Sequence, residues 1–83
     1  MTTPPITIRV NGHDRQVGEG ATLLDLVTEL TGHALGSDGR RADGGRLGVA
    51  AAVDGFVVPR GRWAAHALAP AADVEVVTAV QGG

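Results

Sequence analysis

The sequence predicts an α+β domain in which a mixed sheet of four to five strands packs on one main helix. Three observations lead to this prediction: a hairpin pattern near the start, an amphipathic segment after it, and apolar runs in the second half that end in a final strand. Strands followed by a helix that covers one face of their sheet are typical of this class. A chain of 83 residues forms one such domain around a modest core.

The first predicted element is a β-hairpin. The segment 6–10 alternates apolar and polar residues, which indicates a strand with one buried face. Asn11-Gly12 is a typical hairpin turn because both residues tolerate positive φ. Residues 13–17 are expected to return as a second, less apolar strand. The proline-containing segment 1–5 is expected to be a loose arm.

Residues 21–30 carry the clearest helical pattern. Thr22 is the predicted N-cap, and Asp25 stands three residues later, as in a capping box. Gly32 suits a left-handed C-cap. The apolar face, whose members recur at spacings of three and four, consists of Leu23, Leu26, Val27 and Leu30.

Three further strands are predicted in the second half of the chain. The runs 49–53 and 56–58 flank an Asp-Gly turn signal, and a proline follows the second run. A turn at 60–62 and a helical turn over 63–68 then lead to a final strand over 74–80. The first and last strands are the most apolar, so we expect them to be central in the sheet.

The segment 32–48 is rich in Gly, Asp and Arg and is predicted to be a mobile, solvated loop. A phosphate cradle is the competing interpretation of 39–46. The segment lacks the spacing of both the P-loop and the dinucleotide fingerprint, which favours the loop.

Composition narrows the class of protein. The net charge is −2, which argues against nucleic acid as a partner, and there is no Cys for a disulfide, a thiol nucleophile or a thiolate metal site. We expect a cytoplasmic protein that is a monomer on its own, without a signal peptide or a membrane span. No serine–histidine pair or metal-ligand spacing is evident, so a surface or structural role is expected for His13, His33, His66 and Ser37.

The end of the sequence is its most unusual stretch. The predicted final strand leads into Gln81 and then into Gly82 and Gly83. Two glycines without Cβ atoms make a thin, flexible tail that can enter a narrow channel. Such a tail would present an unshielded carboxylate to another protein's active site.

Together these features make the chain similar to the ThiS family of ubiquitin-like, β-grasp sulfur carriers. The resemblance rests on the strand–turn–strand–helix opening with its helix start at 22–27, on the Val-Pro-Arg-x-x-Trp motif at 58–63, and on the 80–83 end. It covers most of residues 6–83. The chain departs from the family in its extra arm at 2–5 and in its longer 32–48 loop.

The resemblance implies a carrier that is acted on by partner enzymes, not a catalyst, and that binds no cofactor or metal. An adenylating, ThiF-like partner would use ATP to activate the Gly83 carboxylate, and a persulfide donor would convert it to a thiocarboxylate. A ThiG-like thiazole synthase would then take the sulfur for thiamine. The residues expected to enter the partner's channel with Gly83 are Val80, Gln81 and Gly82.

Docking of the partner is expected on the strand and turn that precede the Trp. Val57 and Val58 point to opposite faces of a regular strand, so one of them is expected to be exposed. Arg60 is either a docking residue or a solvated or snorkelling one. Trp63 is either part of the core, or a lid on it, or a docking residue. Three alternatives stay open: sulfur delivery to molybdopterin or cysteine synthesis, a ubiquitin-like protein modifier, and a small enzyme.

Overall fold

A computed structural model describes residues 4–78 of the chain. Its sheet has five strands in the order β2-β1-β5-β3-β4. One α-helix and one 3₁₀ helix accompany the sheet. The elements are β1 (Ile6–Val10), β2 (His13–Val17), α1 (Leu23–Thr31), β3 (Val49–Val53), β4 (Phe56–Val58), the 3₁₀ helix (Arg60–Ala65) and β5 (Asp73–Thr78).

The sheet is mixed, as predicted. β1 and β2 form an antiparallel hairpin, and β3 and β4 form another. β5 lies between the two hairpins, parallel to β1 and antiparallel to β3. The predicted central position of the first and last strands is therefore confirmed. A helix that crosses one face of such a sheet completes the β-grasp arrangement, an α+β fold.

Both predicted hairpin turns are confirmed by their backbone angles. Asn11 and Gly12 have φ values of 51° and 83°, and Asp54 and Gly55 have 51° and 86°. Consecutive positive φ angles match the twist of a two-residue hairpin. These turns set the register in which each hairpin buries one face.

Helix α1 begins and ends with the predicted caps. The Thr22 hydroxyl accepts from the Asp25 N–H, and the Asp25 carboxylate accepts from the Thr22 N–H, which completes the capping box. Gly32 has φ 73° and donates to the Thr28 carbonyl. Leu30 is 38% exposed, unlike the other members of the predicted apolar face, and lines an open pocket beside the end of β5.

The core lies between α1 and the inner face of the sheet. Leu23, Leu26 and Val27 from the helix pack with Ile8 of β1 and Val74 of β5 in one core. All five side chains are at most 1% exposed. Burial of each such side chain contributes roughly 1.5–3 kcal/mol to folding. Over residues 4–78, no helix is long and apolar enough to cross a membrane.

Several predicted boundaries differ from the structure. The helix begins at Leu23, not at residue 21, because Thr22 has extended backbone angles as the N-cap. The predicted turn at 60–62 belongs to the 3₁₀ helix, which ends at Ala65 and not at residue 68. β5 begins at Asp73, and the last two residues of its predicted range lie outside the described residues, as do residues 1–3 of the predicted arm.

Candidate functional site: an open sheet face beside the end of β5

The outer face of the sheet, opposite α1, carries an apolar patch at one end. Val57 of β4 stands opposite Ala52 of β3, and Val77 of β5 stands opposite Ala50. Val57 is 74% exposed and Val77 is 60% exposed. We call Ala50, Ala52, Val57 and Val77 the apolar patch. Contiguous exposed apolar surface is one of the features by which protein interaction sites are recognised.

The other end of the outer face is polar. Strand alternation and register place charged and amide side chains of β1, β2 and the first half of β5 on this face, and most of them are exposed. The face is therefore divided into an apolar half near β4 and a polar half near β2. The polar residues are Thr7, Arg9, Asp14, Gln16, Asp73 and Glu75.

The predicted tail follows directly from this face. β5 ends at Thr78, which pairs with Val49, and Val77 precedes it in the apolar patch. The four residues expected to enter a partner's channel, Val80, Gln81, Gly82 and Gly83, lie outside the described residues. The patch thus borders the point from which the tail continues.

Both hairpin turns bind the backbone of β5. The Asn11 side-chain amide donates to the Val76 carbonyl at 3.2 Å and accepts from the Val76 N–H at 2.9 Å. The Asp54 N–H donates to the Asp73 carbonyl, and the Asp54 carboxylate accepts from the Asp73 N–H. Each end of the strand that leads to the tail is therefore held by hydrogen bonds.

Two of the predicted docking side chains are buried. Trp63 is 1% exposed, and its indole N–H donates to the Val58 carbonyl at 2.9 Å. Val58 is 8% exposed and faces the core, since it stands opposite Ala51. Trp63 is therefore a core residue, and neither side chain contributes to a surface. Val57 is the exposed member of the valine pair.

Arg60 joins the 3₁₀ helix to the 32–48 loop. It is partly buried, and its guanidinium donates to the Leu47 carbonyl at 2.9 Å and lies 6.0 Å from the Trp63 ring centroid. The distance to the ring lies at the limit for a cation–π contact. The Arg60 side chain is therefore not fully solvated, and it anchors the loop beside Trp63.

The 32–48 loop has no helix or strand, as predicted, but it is hydrogen-bonded and packed. Gly39 is buried against Arg60, so that a Cβ atom there would lie 2.5 Å from the Arg60 carbonyl oxygen. Leu35 and Arg41 form an isolated antiparallel bridge, and Leu47 belongs to the core. The prediction of a loop is confirmed, whereas the prediction that all of it is solvated is wrong.

Asp43 closes the turn in this loop. Its carboxylate accepts from the Gly45 N–H at 2.8 Å and from the Arg41 guanidinium at 2.5 Å. The Gly45 hydrogen bond, followed by the Arg41 hydrogen bond, holds the pKa of Asp43 below its ordinary value of 3.8. The exposed carboxylate thus stays ionised and keeps Arg41 oriented.

The histidines and the serine lie on different parts of the fold: His13 in β2, His33 and Ser37 in the 32–48 loop, and His66 just after the 3₁₀ helix. His13 and His33 are exposed and His66 is partly buried, while the exposed Ser37 lies in the loop. Within residues 4–78, no cluster of three His, Asp or Glu side chains could hold a metal ion.

The fold and this face define a ubiquitin-like β-grasp domain with an open sheet surface next to its last strand. The model of the ThiS family matches residues 8–83, which is most of the chain and includes the Gly82-Gly83 end. The chain therefore belongs to the ThiS family, whose members are small sulfur carriers. A search among curated proteins found no match.

Proposed function

We propose that the chain carries sulfur as a thiocarboxylate on Gly83 for thiazole formation in thiamine biosynthesis. The observation that supports this most is the family match, which extends over the diglycine end. The Val-Pro-Arg-x-x-Trp motif at 58–63 favours the thiamine branch over molybdopterin or cysteine synthesis. The carrier supplies its terminal carbon as a substrate, and its partners supply the catalysis.

The proposed chemistry begins with activation of a carboxylate, which by itself resists nucleophiles. In the adenylating partner, an oxygen of the Gly83 carboxylate attacks the α-phosphorus of ATP and pyrophosphate leaves. The terminal sulfur of a persulfide then attacks the acyl carbon and AMP leaves. A thiol cleaves the resulting disulfide, which leaves the thiocarboxylate on Gly83. The absence of Cys prevents exchange between this chain and the persulfide.

The apolar patch is the proposed docking surface for the partners. Gly83 is five residues beyond Thr78, so a fully extended tail spans at most about 18 Å. A partner that receives this tail must approach the domain closely at the end of β5. Val77 borders that end, and Val57 extends the exposed apolar surface across β3 at the level of Glu75. Burial of apolar side chains favours association.

Intact mass spectrometry tests the proposal. The chain is incubated with the adenylating partner, ATP and a persulfide donor. We expect the mass of the chain to increase by the difference between a sulfur and an oxygen atom. A chain without Gly83 is the control, which should fold normally but show no increase in mass. A wild-type chain that stays unmodified with a competent partner would contradict the proposal. Conjugation to lysines of other proteins would support the modifier alternative instead.

A further inference from the structure

Positive charge is concentrated in one segment of this acidic protein. Five of the seven arginines but only three of the nine acidic residues lie between residues 36 and 62. That segment has a net charge of +2, and the rest of the chain has −4. The loop and the 3₁₀ helix bring four of these arginines together around an open pocket of about 730 Å³: Arg40, Arg41, Arg46 and Arg60, here called the arginine cluster.

Most of this charge is not neutralised within the domain. In the described part of the chain, the ion pairs are Arg15–Glu29 and Arg41–Asp43, so Arg40 and Arg46 have no carboxylate partner there. Arg60 is bound to a carbonyl oxygen, which leaves its charge uncompensated. Unpaired cations gathered on one surface attract an anionic partner.

Two members of the arginine cluster, Arg41 and Arg60, are held in place by hydrogen bonds. The guanidinium of Arg41 donates to the Arg46 carbonyl and is held on its other side by Asp43. Arg60 anchors the loop through Leu47, and Gly39 packs directly on Arg60. A surface that is already ordered loses less conformational entropy on binding.

The arginine cluster is continuous with the apolar patch and the end of β5. A second open pocket, of about 610 Å³, is lined both by Arg40 and Arg60 and by Val57 and Ala50. Arg46 and Thr78 line a third, of about 390 Å³. A protein that covers the apolar patch and receives the tail therefore meets the arginine cluster as well.

The loop backbone favours a protein ligand over a bound phosphate. A phosphate cradle needs free glycine N–H groups, but four of the six glycines of the 32–48 loop donate to acceptors inside the loop. Gly36 donates to the Arg40 carbonyl, Gly39 to the Gly36 carbonyl, Gly44 to the Arg41 carbonyl and Gly45 to the Asp43 carboxylate. Binding of a partner is therefore left mainly to the side chains of the loop.

We propose that the arginine cluster is a second docking element, which binds an acidic surface of the adenylating partner beside the channel that takes the tail. This inference rests on the proposed function, because it assumes that such a partner engages Gly83. The apolar patch supplies buried area, and the arginine cluster steers the encounter and orients the domain. Charges of this kind act mainly on the association rate and its salt dependence.

The test is stopped-flow association with the purified adenylating partner. We expect the double variant Arg40→Glu/Arg46→Glu to associate about tenfold more slowly than wild type at low salt. The difference should shrink towards about 1 M salt, where the Debye length is about 3 Å. Arg62→Glu is the control for each single reversal, Arg40→Glu and Arg46→Glu, since Arg62 is exposed and lines none of the three pockets. This control should associate within about twofold of the wild-type rate.

Trp63 fluorescence verifies that each variant is folded. The variant Arg40→Gln/Arg46→Gln should slow association less than Arg40→Glu/Arg46→Glu does. Conversion of Gly83 to the thiocarboxylate by saturating partner should reach the wild-type end point in all variants. Equal slowing by Arg62→Glu, or a wild-type rate in the double variant at low salt, would overturn this inference and leave the proposed function standing. Inorganic triphosphate that binds the free chain through Arg40 and Arg46, with no change in the partner's association rate, would assign a small-anion site instead. Failure of the wild-type chain to be converted would overturn both proposals.

Discussion

The side-chain amide of Asn11 pairs with both backbone polar groups of Val76, 65 residues later in the chain. The amide imitates a strand residue and continues the β1–β5 pairing past the end of β1. Asn11 also has positive φ, so the residue that turns the first hairpin is also the one that holds β5. This contact lies two residues before the end of β5.

We predict that Asn11→Asp destabilises the domain by about 0.5–1.5 kcal/mol at neutral pH, because the Val76 carbonyl loses its donor and faces a carboxylate. Aspartate tolerates the same backbone angles, so the effect reports the lost N–H and the added charge and not a change in the turn. Urea unfolding followed by Trp63 fluorescence measures it. Asn11→Gly, which keeps the turn and removes the amide, should speed hydrogen exchange of the Val76 N–H. Wild-type stability of Asn11→Asp would show that the pairing contributes nothing.

Gly39 and Gly44 offer a matched pair in the 32–48 loop. Both have positive φ, at 78° and 80°, but a Cβ at Gly44 would meet nothing within 4 Å. Gly44→Ala should therefore cost only the left-handed strain of about 1 kcal/mol. Gly39→Ala adds a clash with the Arg60 backbone and should cost about 1–3 kcal/mol more. Equal denaturation midpoints for the two variants would mean that the loop is not packed on Arg60.

The apolar patch predicts which valine substitutions weaken the partner complex. Val57→Ser and Val77→Ser should each change stability by less than about 1 kcal/mol, because both side chains are largely exposed. Each should weaken binding of the adenylating partner by about 1–2 kcal/mol, measured by calorimetry.

Phe56→Ser provides the control for these valines. Phe56 is 77% exposed, but it stands opposite Val53 in the register and so belongs to the other side of the sheet. The substitution removes at least as much apolar area and should leave partner binding unchanged. A loss of affinity for Phe56→Ser as large as that for Val57→Ser would place docking away from the outer face.

The lowered pKa of Asp43 predicts how the loop responds to acid. The folded pKa lies below the unfolded one, so the carboxylate stabilises the fold fully above its ordinary value of 3.8. That contribution is lost as the pH falls through the lowered folded pKa. A carboxyl NMR titration should give a midpoint below 3.8 for Asp43, and Arg41→Gln should move it upwards. A wild-type midpoint at or above 3.8 would contradict the hydrogen bonds described for Asp43.

Short-range signals explain which parts of the fold could be predicted. The Asn11-Gly12 turn and the Thr22 and Gly32 caps depend on residues a few positions apart, so their sequences specify them directly. The sequence did not decide whether Trp63 is buried, since a lone Trp fits both a core and a docking surface. Its position became clear only with the contact to the Val58 carbonyl.

Long-range contacts explain what could not be predicted. Two contacts join residues far apart in the chain: the pairing of Asn11 with Val76 and the packing of Gly39 on Arg60. No periodic pattern in the sequence predicts either contact. The apolar patch could not be predicted without the strand order. Val57 and Val77 lie on the same face of the sheet, on either side of β3, only because β3 is between β4 and β5. The tail itself stays a prediction from the sequence and the family.

The most direct test of the carrier function is a single-turnover transfer of sulfur. The chain is prepared with an isotopically labelled thiocarboxylate at Gly83 and mixed with thiazole synthase and its other substrates, without any further sulfur source. We predict that the label appears in the thiazole and that the chain returns to the mass of its carboxylate. Label that remains on Gly83, or that leaves it without entering the thiazole, would contradict this account.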